Sequence, residues 1–204
     1  MALYYNKNNI EVGIDEVARG CLAGPVYAAA VIWPNDEEFL DKNIKLKDSK
    51  KISKKRREEL QLYIEEIALD FGIGFASAEE IDKLNIRNAT MLAMHRALEK
   101  LNIEPDMILV DGDFFKPYFI DNDVVPYQCV IKGDSKYQSI SAASILAKVY
   151  HDKYIEKICE ENTELQEYGW LNNMCYGTNQ HIETIKKKGL TKFHRKTFGI
   201  CKNI

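Results

Sequence analysis

Residues 11–33 read EVGIDEVARGCLAGPVYAAAVIW, and the fold follows from how this stretch divides. Apolar runs stand at both ends, and ARGCLAGP between them has the Gly and Pro of turn material. The division gives two strands, about residues 11–16 and 26–33, with WPND closing the second. The first strand carries Asp15 and Glu16, and Arg19 follows. Three charges in an otherwise apolar segment are either surface decoration or the end of a strand that leads into a chemical site.

Working outward, Ser53 can cap a helix whose apolar positions Leu60, Tyr63, Ile64, Ile67 and Ala68 recur at spacings of three and four. FGIGFAS reads as a short strand, and residues 87–101 as a helix with Met91, Met94, Ala97, Leu98 and Leu101 on one face. MILVD, residues 107–111, is a compact buried strand ending in an acid, and residues 124–134, VVPYQCVIKGD, end the same way. Residues 139–159 are helical, with small residues SAAS that permit close packing on a sheet. This alternation predicts an α/β domain, a mixed sheet flanked by helices. One domain is expected over 1–204, with a helical C-terminal appendage from about 160 to 204.

A chain of 204 residues, 46% hydrophobic and 29% charged, has the composition of a soluble globular protein with one sizeable core. No segment approaches the apolar length that crosses a bilayer, and MALYYNKNN lacks the apolar run of a secretion signal, so a cytoplasmic protein without membrane contact is expected. Five scattered cysteines, none in a C-x-x-C pair, argue against a disulfide framework or a zinc site. The net charge of −3 hides an uneven distribution. Residues 45–57 hold eight Lys or Arg and one acid, and residues 186–196 six and none. Such runs are either solvated faces or the footprint of phosphate binding.

Three predicted strands end in acids: Asp15 with Glu16, Asp111, and Asp134. Ligands bind at the carboxyl ends of strands in open α/β sheets, so acids distant in sequence can converge there. Carboxylates brought together repel unless cations hold them. Oxygen ligands without His or Cys nearby point to Mg²⁺ or Mn²⁺, and two such ions can activate water and stabilise the leaving oxygen of a phosphodiester. Side chains alternate along a strand, so Asp15 and Glu16 face one side only if the chain turns at Glu16. Two other readings compete. Each acid could cap a neighbouring turn, and ILVDGDFF resembles the D-x-D opening of haloacid-dehalogenase-type phosphatases, though Phe115 stands where those have Thr or Val.

Beyond these local patterns the chain resembles ribonuclease HII. The likeness runs from GIDEVARG..LAGPV.AAAV through DSKK, EEID.LNI..AT..AM.RAL, VDG and KGD....ISAASILAKV..D to YGT..H and HR..F. The resemblance implies a ribonuclease-H-like fold. It implies an endonuclease that cuts RNA in RNA–DNA hybrids and cuts 5′ to single ribonucleotides in duplex DNA, leaving 3′-hydroxyl and 5′-phosphate ends. It also implies that Asp15, Glu16, Asp111 and Asp134 bind two Mg²⁺ or Mn²⁺ ions and that Ala18, Arg19 and Gly20 read the 2′-hydroxyl. Tyr176 then packs on the sugar at the junction, and Ser49 and Lys50 meet the backbone. Nucleic acid is the expected partner, and a monomer the expected state. Ribonuclease HIII fits less well, since it carries a further N-terminal domain. The chain departs from the family's pattern in Ala18, usually Gly, in Cys21, commonly Pro, in residues 173–175, usually His-Lys-Gly, and in His151, commonly Arg. The Ala18 change leaves an alternative, a hybrid-binding protein of the same fold with weakened turnover. A glycine at 18 would serve a backbone angle or a close approach to nucleic acid, and alanine hinders either.

Overall fold

The computed structural model describes residues 1–36, 38, 41, 44, 46 and 52–204. Its centre is a five-stranded sheet built from β1 (Glu11–Val17), β2 (Val26–Ile32), β3 (Asp70–Ala76), β4 (Met107–Asp111) and, after a hairpin of β5 (Phe119–Ile120) and β6 (Asp123–Val124), β7 (Tyr127–Val130). The strand order is β3-β2-β1-β4-β7. The short 18–25 connection returns β2 antiparallel to β1, and β3 continues antiparallel. β4 and β7 arrive through long connections and lie parallel, so the sheet is mixed.

Helices cover both faces. The α1 (Lys54–Ile67) and α4 (Gln138–Glu161) helices lie on one side, and α2 (Ala78–Leu84) and α3 (Ile86–Leu98) on the other. The two-residue period sorts β1 between them: Val12 and Ile14 point toward α3, and Val17 toward α4. Every residue of β2 is buried, and its alanines let helices approach from both sides. Each fully buried Val, Ile or Leu contributes about 1.5–3 kcal/mol to this core. Gly13 is required by proximity: a Cβ there would stand 2.3 Å from the Ser139 carbonyl carbon, so the start of α4 lies against the backbone of β1.

Several boundaries differ from expectation for local reasons. β1 runs through Val17, because its pairing with β2 continues to Val17 opposite Tyr27. The strand expected at 124–134 is divided. Its first residue, Val124, belongs to the β5–β6 hairpin, whose turn residues Asp121 and Asn122 both have positive φ (48° and 73°), as a two-residue turn needs. The short α2 was not foreseen; it starts at a capping box between Ser77 and Glu80. The C-terminal region is helical as expected, with α5 (Trp170–Asn173), α6 (Asn179–Lys188) and short 3₁₀ turns. Among the described residues no helix is long and apolar enough to cross a membrane.

Candidate active site

The parallel register sets Ile14 of β1 beside Val110 of β4, so Asp15 and Asp111 follow on adjacent strands at their carboxyl ends. Asp15 is 6% exposed and accepts the Glu16 N–H at 2.7 Å and a hydrogen bond from Ser144 of α4. Its carboxyl is pushed well above the usual range by burial, then by the charges of Glu16 and Asp111, which outweigh these two hydrogen bonds. Asp111 accepts the Gly133 N–H at 2.6 Å. That bond ties the end of β4 to the 3₁₀ turn Gly133–Ser135, which carries Asp134. A side chain at Gly133 would crowd Ile140 and the Asp111 carboxylate, at 2.6 Å and 3.3 Å. Asp134 thus follows β7 by a turn instead of ending a strand.

Glu16 lies on the other face, as strand alternation dictates. It forms an ion pair with Arg19 at 3.2 Å and borders a cleft of about 60 Å³ with Asp111 and Asp113. Its charge still acts on Asp15 around the end of the sheet. The all-oxygen donor set and its mutual repulsion fit a hard divalent cation. Among the described residues no three acids, His or Cys close to the spacing that holds an ion.

Next to the acids, Ala18 has φ 71°, the left-handed angle that glycine would supply. The residue is 2% exposed and packs in the core. The expected conflict at 18 is therefore one of backbone angle, not of crowding against nucleic acid. The turn closes with the Cys21 N–H on the Ala18 carbonyl at 3.3 Å. Cys21 then pairs with Tyr176 in an antiparallel bridge, and the Tyr176 ring lies against Gly20, 3.8 Å from where a Cβ would stand. Burial raises the Tyr176 phenol to about 12, so it stays neutral. Two successive left-handed residues, Met174 (φ 45°) and Cys175 (φ 66°), turn the chain into this position.

The fold therefore brings Asp15, Glu16 and Asp111 to one end of the sheet, with the Asp134 turn bonded to Asp111, and sets residues 18–20 against Tyr176. Ser49 and Lys50 lie outside the described residues. His181 holds the Tyr176 carbonyl at 3.0 Å, and His95 bonds the Lys116 carbonyl beneath aromatic neighbours as a structural residue. Asp152 is buried among Lys148, His151 and Arg57; burial works to raise its carboxyl, but the bonds from His151 and Lys148 prevail and lower it. The sequence reading missed Arg195, which is fully buried under the 18–25 turn. HR..F was visible as a motif, but its place in a run of cations suggested solvent.

The family model described as Ribonuclease HII matches residues 12–201. The Ribonuclease HII of Christiangramia forsetii is 50% identical, covering 98% of this chain and 96% of that protein. The crystal structure of ribonuclease H2 from Pyrococcus horikoshii matches with a TM-score of 0.77 at 26% identity, over 95% of each chain. Bst-RNase HIII in complex with Mn²⁺ matches with a TM-score of 0.72 at 21% identity, over 94% of this chain and 68% of that one, which is a likeness of fold.

Proposed function

The chain belongs to the ribonuclease HII family and is a type 2 ribonuclease H, an endonuclease, and from that premise we propose how its residues cut ribonucleotide-containing duplexes. The proposed metal-binding residues are Asp15, Glu16, Asp111 and Asp134, and the ion is Mg²⁺ or Mn²⁺. When bound, such ions supply an activated water and charge stabilisation at the leaving oxygen. The observation that carries the reading is the parallel pairing of β1 with β4, which sets Asp15 and Asp111 on adjacent strand ends, with the turn carrying Asp134 bonded to Asp111.

The protein's own residues supply the rest. Ser144 and the Glu16 N–H orient Asp15, and the Gly133 N–H orients Asp111, so each carboxylate keeps one direction. Arg19 and Gly20 present their backbone to the 2′-hydroxyl, and the neutral Tyr176 ring gives the sugar an apolar platform. Residues of about 160–204 form a substrate-contacting extension of the domain. Ser49 and Lys50 are assigned to the phosphate backbone. Cleavage 5′ to a lone ribonucleotide, leaving a 3′-hydroxyl and a 5′-phosphate, is the expected outcome. Ala18 already takes the angle of a glycine, which favours an active enzyme over a weakened binder.

The test is cleavage of a DNA duplex bearing one ribonucleotide, with and without Mg²⁺ or Mn²⁺, by wild type and by Asp111→Asn. Cleavage only with the ion, and only by wild type, is expected. Wild-type rates from Asp111→Asn would remove that residue from the site.

A further inference from the structure

Arg195 is fully buried, and among the described residues no carboxylate pairs with its guanidinium. Its acceptors are four backbone carbonyls of one turn. Nε donates to Gly24 at 2.9 Å, Nη1 to Arg19 at 3.0 Å, and Nη2 to Ala18 at 2.8 Å and Pro25 at 3.1 Å. The segment carrying it is fixed as well. The Arg195 N–H bonds the Leu22 carbonyl at 2.9 Å, Ala23 bridges His194, and the guanidinium stands 5.1 Å from the centre of the Phe198 ring. Burying a charge is costly unless hydrogen bonds replace the lost water. Four oriented carbonyls do that here, and the planar fork of arginine can address them together where the compact ammonium of lysine cannot.

The direction of those carbonyls has a consequence for the outer face. In a planar trans peptide the carbonyl and the following N–H point opposite ways, and no peptide of this chain is cis. Drawing the Ala18 and Arg19 oxygens inward therefore aims the N–H groups of Arg19 and Gly20 outward, at two exposed residues. The Tyr176 ring borders the same loop at Gly20.

We propose that Arg195 is the positioning residue for ribonucleotide selectivity: its buried fork fixes the 18–25 turn so that the Arg19 and Gly20 amides are presented to the 2′-hydroxyl and adjoining backbone. This rests on the reading of residues 18–20 given above. Arg195 touches no substrate and acts through the carbonyls it holds.

Arg195→Lys keeps the charge and removes the fork. Single-turnover rates are compared on a duplex with one ribonucleotide and on a long RNA–DNA hybrid, where many registers can be cut. The lone-ribonucleotide rate should fall about 10- to 100-fold, the loss that goes with a broken charge-assisted hydrogen bond, while the hybrid rate holds. An equal fall on both substrates, or none on either, overturns the proposal. If Arg195→Lys does not fold, Asp82→Ala replaces it, because Asp82 accepts the N–H groups of Lys196 and Thr197 at 2.8 Å and 2.9 Å and so steadies Arg195 from outside. The same selective fall is then expected, and equal falls count against the clamp. The amide resonances of Arg19 and Gly20 in the metal-free protein decide the point without catalysis. They should shift or broaden in the variant while that of Ile14 stays put, and unchanged signals refute the clamp. Wild type that cuts neither duplex would sink the reading of the site, and the amide signals would still judge Arg195.

Discussion

Asp15 makes folding harder when no cation is present. Its carboxyl is raised by burial, then by Glu16 and Asp111, so the folded state holds its proton to higher pH than the unfolded chain does. A raised acid contributes stability that is present below the unfolded value, near 3.9 on the usual scale, and that is lost as pH climbs through the folded value. Asp15→Asn should therefore melt higher than wild type at pH 7 without metal, with the difference shrinking as pH falls toward 4. Each kcal/mol recovered corresponds to about 2–4 °C in a chain of this size. Calorimetry in chelator across pH checks this, and a lower melting temperature for the variant at pH 7 would contradict it. Cleavage by the variant should be lost, so stability and activity move in opposite directions. At Ala18 the terms oppose one another. The left-handed angle costs about 1–2 kcal/mol, while the buried methyl returns about 0.8 kcal/mol and alanine reduces the freedom of the unfolded chain. The acids at 15, 16, 111 and 134 announced a candidate site, whereas the direction of the Ala18 methyl did not follow from the sequence.

The C-terminal elements are joined by a chain of imidazoles whose protons can be placed by elimination. His181 Nδ1 faces the Tyr176 carbonyl at 3.0 Å, so it carries hydrogen. Its Nε2 then accepts from Trp170 Nε1 at 3.0 Å and from His194 Nε2 at 3.1 Å, which must donate. His194 Nδ1 accepts the Thr191 N–H at 2.9 Å. Both rings are neutral in this arrangement, and a proton added to either sets donor against donor. Burial lowers both, and His181 lowers His194 further, to about 4. The unfolded chain takes up these protons near 6.5, so the stability from neutral burial is intact above that and is lost as pH falls toward 4. His194→Gln removes one titrating ring. The melting advantage of wild type over this variant should narrow as pH falls from 6.5 to 4, and a constant gap would count against the assignment. Elements differ in how plainly the sequence shows them. The α1 helix begins after Ser53, whose side chain accepts the Arg56 N–H, where the apolar period and the cap agreed. The seven-residue α2 is too short for periodicity to stand out, and Pro126 with a tight hairpin split what read as one strand.

Over the whole molecule, a net charge of −3 coexists with exposed cations beyond Tyr176: Lys186, Lys187 and Lys188 in the last turn of α6, then Lys192 and Lys196. Lys54, in the other basic run, is tied to Glu58 and Glu156. Neutralising Lys187, Lys192 and Lys196 should lower the salt dependence of duplex binding by about one unit of slope for every phosphate that these lysines neutralise. Lys54→Gln should leave that slope unaltered. Binding titrations from low to moderate salt measure both, and an unchanged slope in the triple variant would return these lysines to mere solvation. The α/β order was legible because each core element carries its own period. The joining of residues 18–25 to 195 was not, because no local pattern records which distant carbonyls a buried guanidinium will meet. That join spans 176 positions between Arg19 and Arg195. During synthesis the carbonyls emerge early and wait for nearly the entire chain before their donor exists. The strands bearing Asp15 and Asp111 are complete long before that. On the proposed roles, a nascent or prematurely ended chain would hold two of the metal-binding acids without the clamp that presents the selecting amides, so discrimination would be the last property the growing polypeptide acquires.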